Sequence, residues 1–355
     1  MFRNKKIKFA IIGCGRIFPK HYEIFEKKLF NNFVLTSICE KKSKKLKKIK
    51  KNTNLNFYKD YKKLIKNEKI DVAIILTESG NHYDVAKYCL EHKLNIIVEK
   101  PLCLKLNQAN NLIKLSKKKN KKIFVVMQNR YNLPIEIAKK FMIKKKLGKI
   151  INITVRVRWS RDQKYYDQDS WRGTWKKDGG ALTNQGIHHL DLLCLFGGEI
   201  KEVFGYSSRR LVDIEAEDNA MALVKFQNGA LGNIEVTTAT RPCDLEGSIS
   251  ILGEKGTIVI GGFAANKIEF WEFKNPKNNV LKEKYFENPK NIYGFGHKSF
   301  YTEVRKELLN KKNKVTFAED TIPSLRLLHS IYSSIEKKKI IKTNTINFRN
   351  KLNDA

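Results

Sequence analysis

Polar side chains crowd the stretch DGGALTNQGIHHLD, residues 178–191, directly before an apolar run. Asn184, His188 and Asp191 stand at positions i, i+4 and i+7, so they share one face if the segment is a single helix. An imidazole such as that of His188 is the side chain best suited to accept a proton from an alcohol at neutral pH, while the amide and the carboxylate can orient a ligand. The spacing predicts an active-site helix, in which the adjacent His189 points elsewhere and is structural.

A second set of chemistry-bearing residues follows the N-terminal apolar run IKFAII. Gly13 allows a sharp turn, and Gly15 lets the backbone approach a pyrophosphate. A helix beginning near Arg16 would offer its free N–H groups to that anion. The usual third glycine of this fingerprint is replaced by Phe18, so the motif is incomplete. The pattern still predicts a dinucleotide-binding turn.

The acid that selects the dinucleotide is predicted at Glu40. This residue ends a second strand-like run, FVLTSICE, at the spacing of the carboxylate that accepts hydrogen bonds from the adenosine ribose. A carboxylate there repels a 2′-phosphate, although Lys41, Lys42 and Lys44 could still accommodate one. We therefore expect NAD as the cofactor, with NADP less favoured.

Alternating strand-like and helix-like segments position these residues. From the glycine turn to about residue 130, the alternation is typical of a doubly wound parallel sheet, whose ligands bind beyond the carboxyl ends of the strands. Polar residues stand at several predicted strand ends. The predicted cofactor-binding residues are Gly13, Cys14, Gly15, Arg16, Ile17, Glu40, Thr77, His82, Glu99, Lys100 and Gln128.

The second half of the chain alternates polar and apolar residues between NG and GEKG turns, which is typical of antiparallel strands. We expect an α/β protein with an N-terminal Rossmann domain over residues 1–128 and a C-terminal α+β domain over residues 129–340. An amphipathic helix near residues 322–338 is expected to pack back on the first domain. Residues 341–355 are expected to form a loosely held polar tail.

Composition narrows the classes of function. A chain of 355 residues predicts two domains. The formal net charge of +34 would suit nucleic acid, but no nucleic-acid-binding motif accompanies the lysines, so no specific nucleic-acid partner is expected. Six scattered cysteines indicate reduced thiols and argue against zinc, and no metal is expected. Without a membrane-length apolar run or a secretory cleavage site, we expect a cytoplasmic protein with no membrane span.

Four segments together resemble the Gfo/Idh/MocA family of oxidoreductases: GCGRI, EKPL, YYDQDSWRGTWKKDGGALTNQGIHHLDLL and YGFGHKSFYTEV. Within the family, WRGTW, NQGIH and YGFGH are most similar to the branch that oxidises the 3-hydroxyl of UDP-N-acetylglucosamine or its uronic acid, UDP-N-acetylglucosaminuronate. Phe18 in the glycine loop and Glu78 after Thr77 depart from the family pattern. The resemblance implies a large, mostly antiparallel second sheet, a homodimer or homotetramer, and a role in making surface-polysaccharide sugars such as those of lipopolysaccharide.

The implied reaction is hydride transfer between a sugar carbon and the nicotinamide. Lys100 and His188 are the catalytic candidates: one accepts the hydroxyl proton and the other stabilises the developing alkoxide, and either could be the base. Gly179 and Gly180 would let another backbone approach, near the nicotinamide. Arg172, among aromatic residues, could bind a pyrophosphate or a carboxylate. The predicted substrate-binding residues are Arg161, Tyr166, Arg172, Trp175, Asn184, Gln185, His188, Asp191 and His297.

Three other functions stay open at this point. The chain could be a dehydrogenase of a free sugar or polyol, or an NAD-dependent glycosidase on the same fold, which would recycle its cofactor. Net accumulation of NADH with a sugar nucleotide distinguishes a dehydrogenase from that glycosidase. A non-catalytic nucleotide-binding sensor is the third alternative, and the presence of both Lys100 and His188 argues against it.

Overall fold

The computed structural model describes residues 6–42, 49, 54–289, 294–344, 348 and 350–352. The chain divides into two compact units. Unit 1 comprises residues 1–126 and 297–321, and unit 2 comprises residues 127–296 and 322–355. Within the part of the chain that is described, no helix has both the length and the apolar character needed to cross a membrane.

Strands and helices alternate through the first stretch of unit 1. Its elements are β1 (Ile7–Ile12), α1 (Phe18–Glu26), β2 (Phe33–Cys39), β3 (Asn56–Tyr58), α2 (Tyr61–Asn67), β4 (Val72–Ile75), α3 (His82–Glu91), β5 (Asn95–Val98), α4 (Leu106–Lys119) and β6 (Ile123–Val125). The strands form a parallel sheet in the order β3-β2-β1-β4-β5-β6. The central strands β1 and β4 are almost continuously apolar and buried, as in parallel sheets covered on both faces. The predicted doubly wound parallel sheet is confirmed.

Unit 2 begins with a helix and then builds a second sheet. Its elements up to residue 273 are α5 (Leu133–Ile143), β7 (Ile150–Arg158), α6 (Gln163–Tyr166), α7 (Ala181–Asn184), α8 (Ile187–Gly197), β8 (Ile200–Ser208), β9 (Asn219–Phe226), β10 (Leu231–Thr237), β11 (Glu246–Gly253), β12 (Gly256–Gly261) and β13 (Lys267–Phe273). Along β9, buried and exposed residues alternate, which is the period of a sheet with one face in the core.

Residues 297–321 return to unit 1, whereas the sequence assigned them to the second domain. They include most of α9 (Gly296–Leu308). Further along, the N–H of Val125 donates to the carbonyl of Thr316 (3.0 Å), and the N–H of Ala318 donates to the carbonyl of Ile123 (3.1 Å). These bonds pair the outer edge of β6. The hydrophobic periodicity of a segment indicates a helix or a strand but not the domain against which it packs. The assignment of residues 297–321 to unit 1 was therefore not predictable from the sequence.

The helix α10 (Ile322–Lys337) lies in unit 2, where it packs on β8 and α8. This agrees with its expected place in the second domain, and its packing back on the first domain stays a prediction. β14 (Ile341–Lys342) pairs with β8 and completes an eight-stranded sheet in the order β13-β12-β11-β7-β10-β9-β8-β14. Adjacent strands of this sheet run antiparallel, with one exception: β10 and β7 pair in parallel. The large, mostly antiparallel sheet is therefore confirmed.

Several residues of the predicted loose tail are held in place. The N–H of Thr343 donates to the carbonyl of Lys201 (3.1 Å), and the side-chain amide of Asn350 donates to the carbonyl of His329 (3.2 Å). Leu352 is 1% exposed. The prediction of a loose tail rested on its polar composition, which does not show these contacts. Residues 345–347, 349 and 353–355 lie outside the described part of the chain.

Candidate active site

Two glycines shape the turn between β1 and α1 in unit 1. Gly13 has a φ of +100°, and a Cβ there would lie 2.7 Å from the carbonyl oxygen of Leu76, so only glycine fits. At Gly15 the corresponding distance is 3.8 Å, which leaves space beside the backbone. Phe18, at the third glycine position, is buried and begins α1, with its ring stacked on Tyr22. The turn therefore presents bare backbone ahead of a helix N-terminus.

Glu40 follows β2 and lies beside this turn. Its Oε2 accepts a hydrogen bond from the N–H of Cys14 (2.7 Å), and its Oε1 accepts one from the N–H of Lys42 (2.8 Å). Arg16 is exposed and Ile17 is half-buried. A glycine turn with an acid at the end of the second strand fits the pyrophosphate and ribose of a dinucleotide.

The loops after β4 and β5 meet at His82. The ring nitrogens of this buried residue lie 2.7 Å from the carbonyl oxygen of Pro101 and 3.0 Å from that of Thr77. Burial lowers the pKa of His82, while the two carbonyl oxygens, which can only accept hydrogen bonds, oppose that lowering. His82 thus joins the two loops, and contact of His82 or Thr77 with the cofactor stays a prediction.

Glu99 and Lys100 follow β5. Glu99 is buried, and its Oε1 lies 2.9 Å from Nε2 of His21 and 3.8 Å from Nε2 of His297. The backbone N–H of Lys100 donates to the other carboxylate oxygen of Glu99 (3.3 Å). Burial opposes ionisation of Glu99, but the imidazoles of His21 and His297 outweigh it and hold its pKa well below the usual value. An ionised carboxylate therefore lies directly before the candidate catalytic lysine.

In unit 2, the predicted active-site helix is split. α7 ends at Asn184 and α8 starts at Ile187, so Asn184, His188 and Asp191 do not share one continuous helix. The side-chain amide of Asn184 donates to Asp178, and Asp191 is buried in a bidentate ion pair with Arg130 (2.6 and 2.7 Å). The sequence pattern missed the break because helical spacing does not show where a turn intervenes. His188 is buried near the start of α8.

Gly180 allows the close approach of another backbone, as expected: a Cβ there would lie 2.4 Å from the carbonyl oxygen of Glu217, and proximity to the nicotinamide stays a prediction. A Cβ on Gly180 would lie 2.2 Å from the carboxyl carbon of Glu217. Glu217 is buried, and its Oε1 accepts hydrogen bonds from the N–H of Leu182 (3.0 Å) and the hydroxyl of Tyr332 (2.9 Å). Burial raises the pKa of Glu217 to about 7, with Asp178 nearby adding to the rise. Sequence reasoning missed Glu217 and Tyr332, and the glycine pair was the available signal.

Two arginines and two aromatic residues form a compact cluster in unit 2. The guanidinium of Arg172 lies 4.6 Å from the ring centroid of Tyr165 and 4.5 Å from that of Trp171. Arg172 also donates to the Tyr165 hydroxyl (2.9 Å). Arg161 lies 5.4 Å from the same Tyr165 ring and pairs with Asp244 (2.7 Å). Both guanidinium groups therefore lie within cation–π distance of an aromatic ring.

Other predicted substrate residues have packing roles in the structure. Tyr166 is buried and its hydroxyl lies 3.1 Å from Oγ1 of Thr238. Trp175 packs edge-on against Tyr332, at 5.3 Å between centroids. The Gln185 amide donates to the Tyr165 hydroxyl at 3.4 Å. Contact of any of these with substrate stays a prediction.

Two predicted residues fall in the unit opposite to the one expected. Gln128, expected at the cofactor, is buried in a one-turn helix of unit 2. His297, expected at the substrate, belongs to unit 1 and is buried beside Glu99. His189, expected to be structural, is fully buried, and burial lowers its pKa to about 4. A neutral, enclosed ring is consistent with that expectation.

Both halves of the chain match one oxidoreductase family. Residues 7–127 match its NAD-binding Rossmann fold, and residues 139–343 match its C-terminal alpha/beta domain. The chain belongs to the Gfo/Idh/MocA oxidoreductase family. It is therefore an NAD-dependent dehydrogenase acting on CH–OH groups, as predicted.

Two solved structures are similar to this protein over nearly the whole chain. The WlbA dehydrogenase from Chromobacterium violaceum, in complex with NADH and UDP-GlcNAcA, is 34% identical, covers 98% of each chain and has a TM-score of 0.90. The WlbA dehydrogenase from Bordetella pertussis, with the same ligands, is 32% identical, covers 96% of this chain and 99% of the other, and has a TM-score of 0.91. Myo-inositol 2-dehydrogenase of Thermotoga maritima is 24% identical and covers 95% of this chain and 98% of its own.

Proposed function

We propose that this Gfo/Idh/MocA dehydrogenase oxidises the C3 hydroxyl of a UDP-N-acetylhexosamine or its uronic acid, for the synthesis of surface-polysaccharide sugars such as those of lipopolysaccharide. The likeness to two dehydrogenases bound to UDP-GlcNAcA supports the proposal, since both are more similar in sequence than the inositol enzyme. A polyol dehydrogenase is the second candidate, because the inositol enzyme matches over nearly its full length.

The observation that carries the proposal is the charge of Arg172. Its side chain is only 6% exposed, and among the described residues its ion-pair partner is Asp169, whose carboxylate lies 3.9 Å from its Nε. Among the described residues, that Nε is buried without a hydrogen-bond partner. A buried guanidinium with so weak a counter-ion costs several kcal/mol unless an anion compensates it. A uronic carboxylate or a diphosphate would supply that anion, whereas inositol would not.

The proposed chemistry divides between two side chains. Bound NAD supplies the acceptor for a hydride. We assign His188 to accept the hydroxyl proton, because an imidazole takes protons near neutral pH. Lys100 would donate a hydrogen bond to the substrate oxygen and stabilise negative charge there. These roles would exchange if Lys100 were neutral.

Activity on three substrates tests the substrate class. UDP-GlcNAcA, UDP-GlcNAc and myo-inositol are each mixed with NAD, and NADH absorbance is followed. We expect net NADH only with the nucleotide sugars. Faster turnover of myo-inositol would refute the assignment and favour the polyol dehydrogenase. A sugar nucleotide that is consumed without net NADH would favour the glycosidase.

Variants at Arg172 test the anion site. Arg172→Ala should raise KM for UDP-GlcNAcA at least tenfold, because a charge-assisted contact contributes roughly 1.5–3 kcal/mol. Arg172→Lys should recover only part of this, since an ammonium lacks the planar fork. NAD affinity, measured by fluorescence, should stay unchanged in both. Arg209→Ala, which removes a more exposed guanidinium paired with Asp213, is the matched control.

We also propose that the chain forms a homodimer or homotetramer through the outer face of its large sheet. Met221 and Leu223 of β9 are 54% and 65% exposed, and Tyr206 of β8 and Leu231 of β10 are exposed beside them. Exposed apolar side chains clustered on one sheet face are typical of an interface. Light scattering of the wild type and of Leu223→Lys should show an oligomer that the lysine weakens; a monomeric wild type would refute the proposal.

A further inference from the structure

A buried hydrogen-bonded chain in unit 1 ends at the candidate catalytic lysine. His21, on α1, is fully buried. Its Nδ1 lies 2.7 Å from the hydroxyl of Tyr301 on α9, and its Nε2 lies 2.9 Å from Oε1 of Glu99. Oε2 of Glu99 accepts the backbone N–H of Lys100 (3.3 Å). The chain thus runs from Tyr301 through His21 and Glu99 to the backbone of Lys100.

The protonation state of each member follows from its neighbours. Burial raises the pKa of Tyr301 well above its usual value, so its hydroxyl keeps the proton and donates to Nδ1 of His21. Burial also lowers the pKa of His21, against the pull of Glu99, so the ring is neutral and its one proton is on Nε2. That N–H donates to the ionised Glu99. Every bond in the chain then has one donor and one acceptor.

We propose that His21 and Tyr301 are positioning residues that hold the Glu99 carboxylate and, through it, the backbone of Lys100. A carboxylate can rotate about its terminal bond, and a donor on Oε1 fixes the direction in which Oε2 accepts. Removing that donor would free Glu99 and displace Lys100, and a displacement of about 1 Å can cost roughly a hundredfold in rate. The inference rests on the proposed function, because it assumes that Lys100 acts on the substrate.

The same cluster has the composition of a metal site, and its distances favour the hydrogen-bonded chain. Ligand atoms of His21, Glu99 and His297 all lie within 4.8 Å of one another. Two ligands at zinc distances of about 2.0–2.2 Å, in tetrahedral geometry, are about 3.4 Å apart. The 2.9 Å between His21 and Glu99 is instead a direct hydrogen bond.

Kinetic variants test the positioning role. His21→Leu removes the donor to Glu99, and we expect kcat with UDP-GlcNAcA and NAD to fall at least tenfold while KM and NAD affinity change less than threefold. His21→Gln can still donate to Glu99 and should recover kcat to within about threefold of wild type. Tyr301→Phe should give an intermediate loss. His329→Gln, at a buried histidine bonded to Asn350 in unit 2, is the control for loss of a buried imidazole.

Spectroscopy tests the chain without turnover. In protein labelled with 15N-histidine, with His21→Gln used for assignment, the His21 signal at about pH 7 should be that of a neutral ring protonated on Nε2. An imidazolium or an Nδ1-protonated ring would overturn the proposal. So would zinc retained by the purified protein at one equivalent and lost in His21→Gln. This measurement still decides the matter if His21→Leu does not fold.

The two levels of the proposal fail differently. If Lys100→Met turns over UDP-GlcNAcA at the wild-type rate, the proposed function of Lys100 is wrong. If Lys100→Met is inactive but His21→Leu keeps wild-type kcat, only the positioning role is wrong. Equal losses in His21→Leu and His21→Gln would also refute it, because the glutamine restores the donor.

Discussion

Replacing Glu217 by glutamine should remove a pH-dependent destabilisation of the folded protein. Glu217 is 4% exposed, and burial raises its folded pKa from 4.5 to about 7. The unfolded chain therefore releases this proton at lower pH than the folded protein does. Stability from the neutral carboxyl is fully present below about pH 4.5 and is lost as the pH rises towards 7 and beyond.

The size of the effect follows from the shift. At about 1.4 kcal/mol per pKa unit, the rise at Glu217 corresponds to about 3.4 kcal/mol in total, of which about 2.5 kcal/mol falls between about pH 5 and pH 8.5. Glutamine is neutral at every pH and keeps an oxygen that can accept from Leu182 and Tyr332. Its stability relative to wild type should therefore rise by about 2.5 kcal/mol across that range.

Urea unfolding followed by circular dichroism, at several pH values and without ligand, measures this difference. Subtracting wild type from Glu217→Gln cancels titrations common to both proteins, such as that of His189, whose lowered pKa acts in the opposite direction at acid pH. A constant offset between the two proteins at every pH would refute the reasoning. Only the change of this difference with pH is informative. Its absolute size is not, because the glutamine NH2 group replaces Oε2 of Glu217, which has no hydrogen-bond partner among the described residues.

Further predictions concern the cofactor and the chemistry. NADH should bind more tightly than NADPH in a fluorescence titration, and Glu40→Ser should narrow the gap because it removes the carboxylate that repels a 2′-phosphate; equal affinity in the wild type would contradict this. Lys100→Met and His188→Asn should each lower turnover about a hundredfold or more, because each removes a proton acceptor or an oxyanion-type donor. NAD binding and melting temperature should stay near wild type in both, and wild-type turnover in either would show that the residue lacks the assigned role.

The cofactor half was predictable from sequence because it is local. A buried apolar strand followed by Gly13 and Gly15, with Glu40 at the next strand end, fixes the turn, the helix start and the acid within one short stretch. The periodic alternation of elements then gives the parallel sheet. His21 and Tyr301 escaped notice because their contact joins positions 280 residues apart in the chain.

The candidate substrate site was only partly predictable. Side chains from distant parts of the chain bind some of its polar groups, and this decides which polar groups are left to contact a substrate. The spacing of Asn184, His188 and Asp191 suggested one catalytic face, yet Arg130 binds the Asp191 carboxylate from another element. The glycine pair correctly predicts that another segment packs closely against it, but the sequence does not reveal that this segment contains Glu217. Side-chain pairing of this kind depends on tertiary structure and leaves no periodic signal.

The return of residues 297–321 to unit 1 has a consequence for how the protein is made. A ribosome exposes the strands of the parallel sheet long before it adds Thr316 and Ala318, which pair with the edge of β6. During that interval the edge strand has unpaired backbone groups that can recruit another chain. A fragment ending near residue 128 would keep this open edge permanently and would lack Tyr301. Expression of the Rossmann half alone should therefore yield aggregated protein, and adding residues 297–321 through a linker should restore solubility.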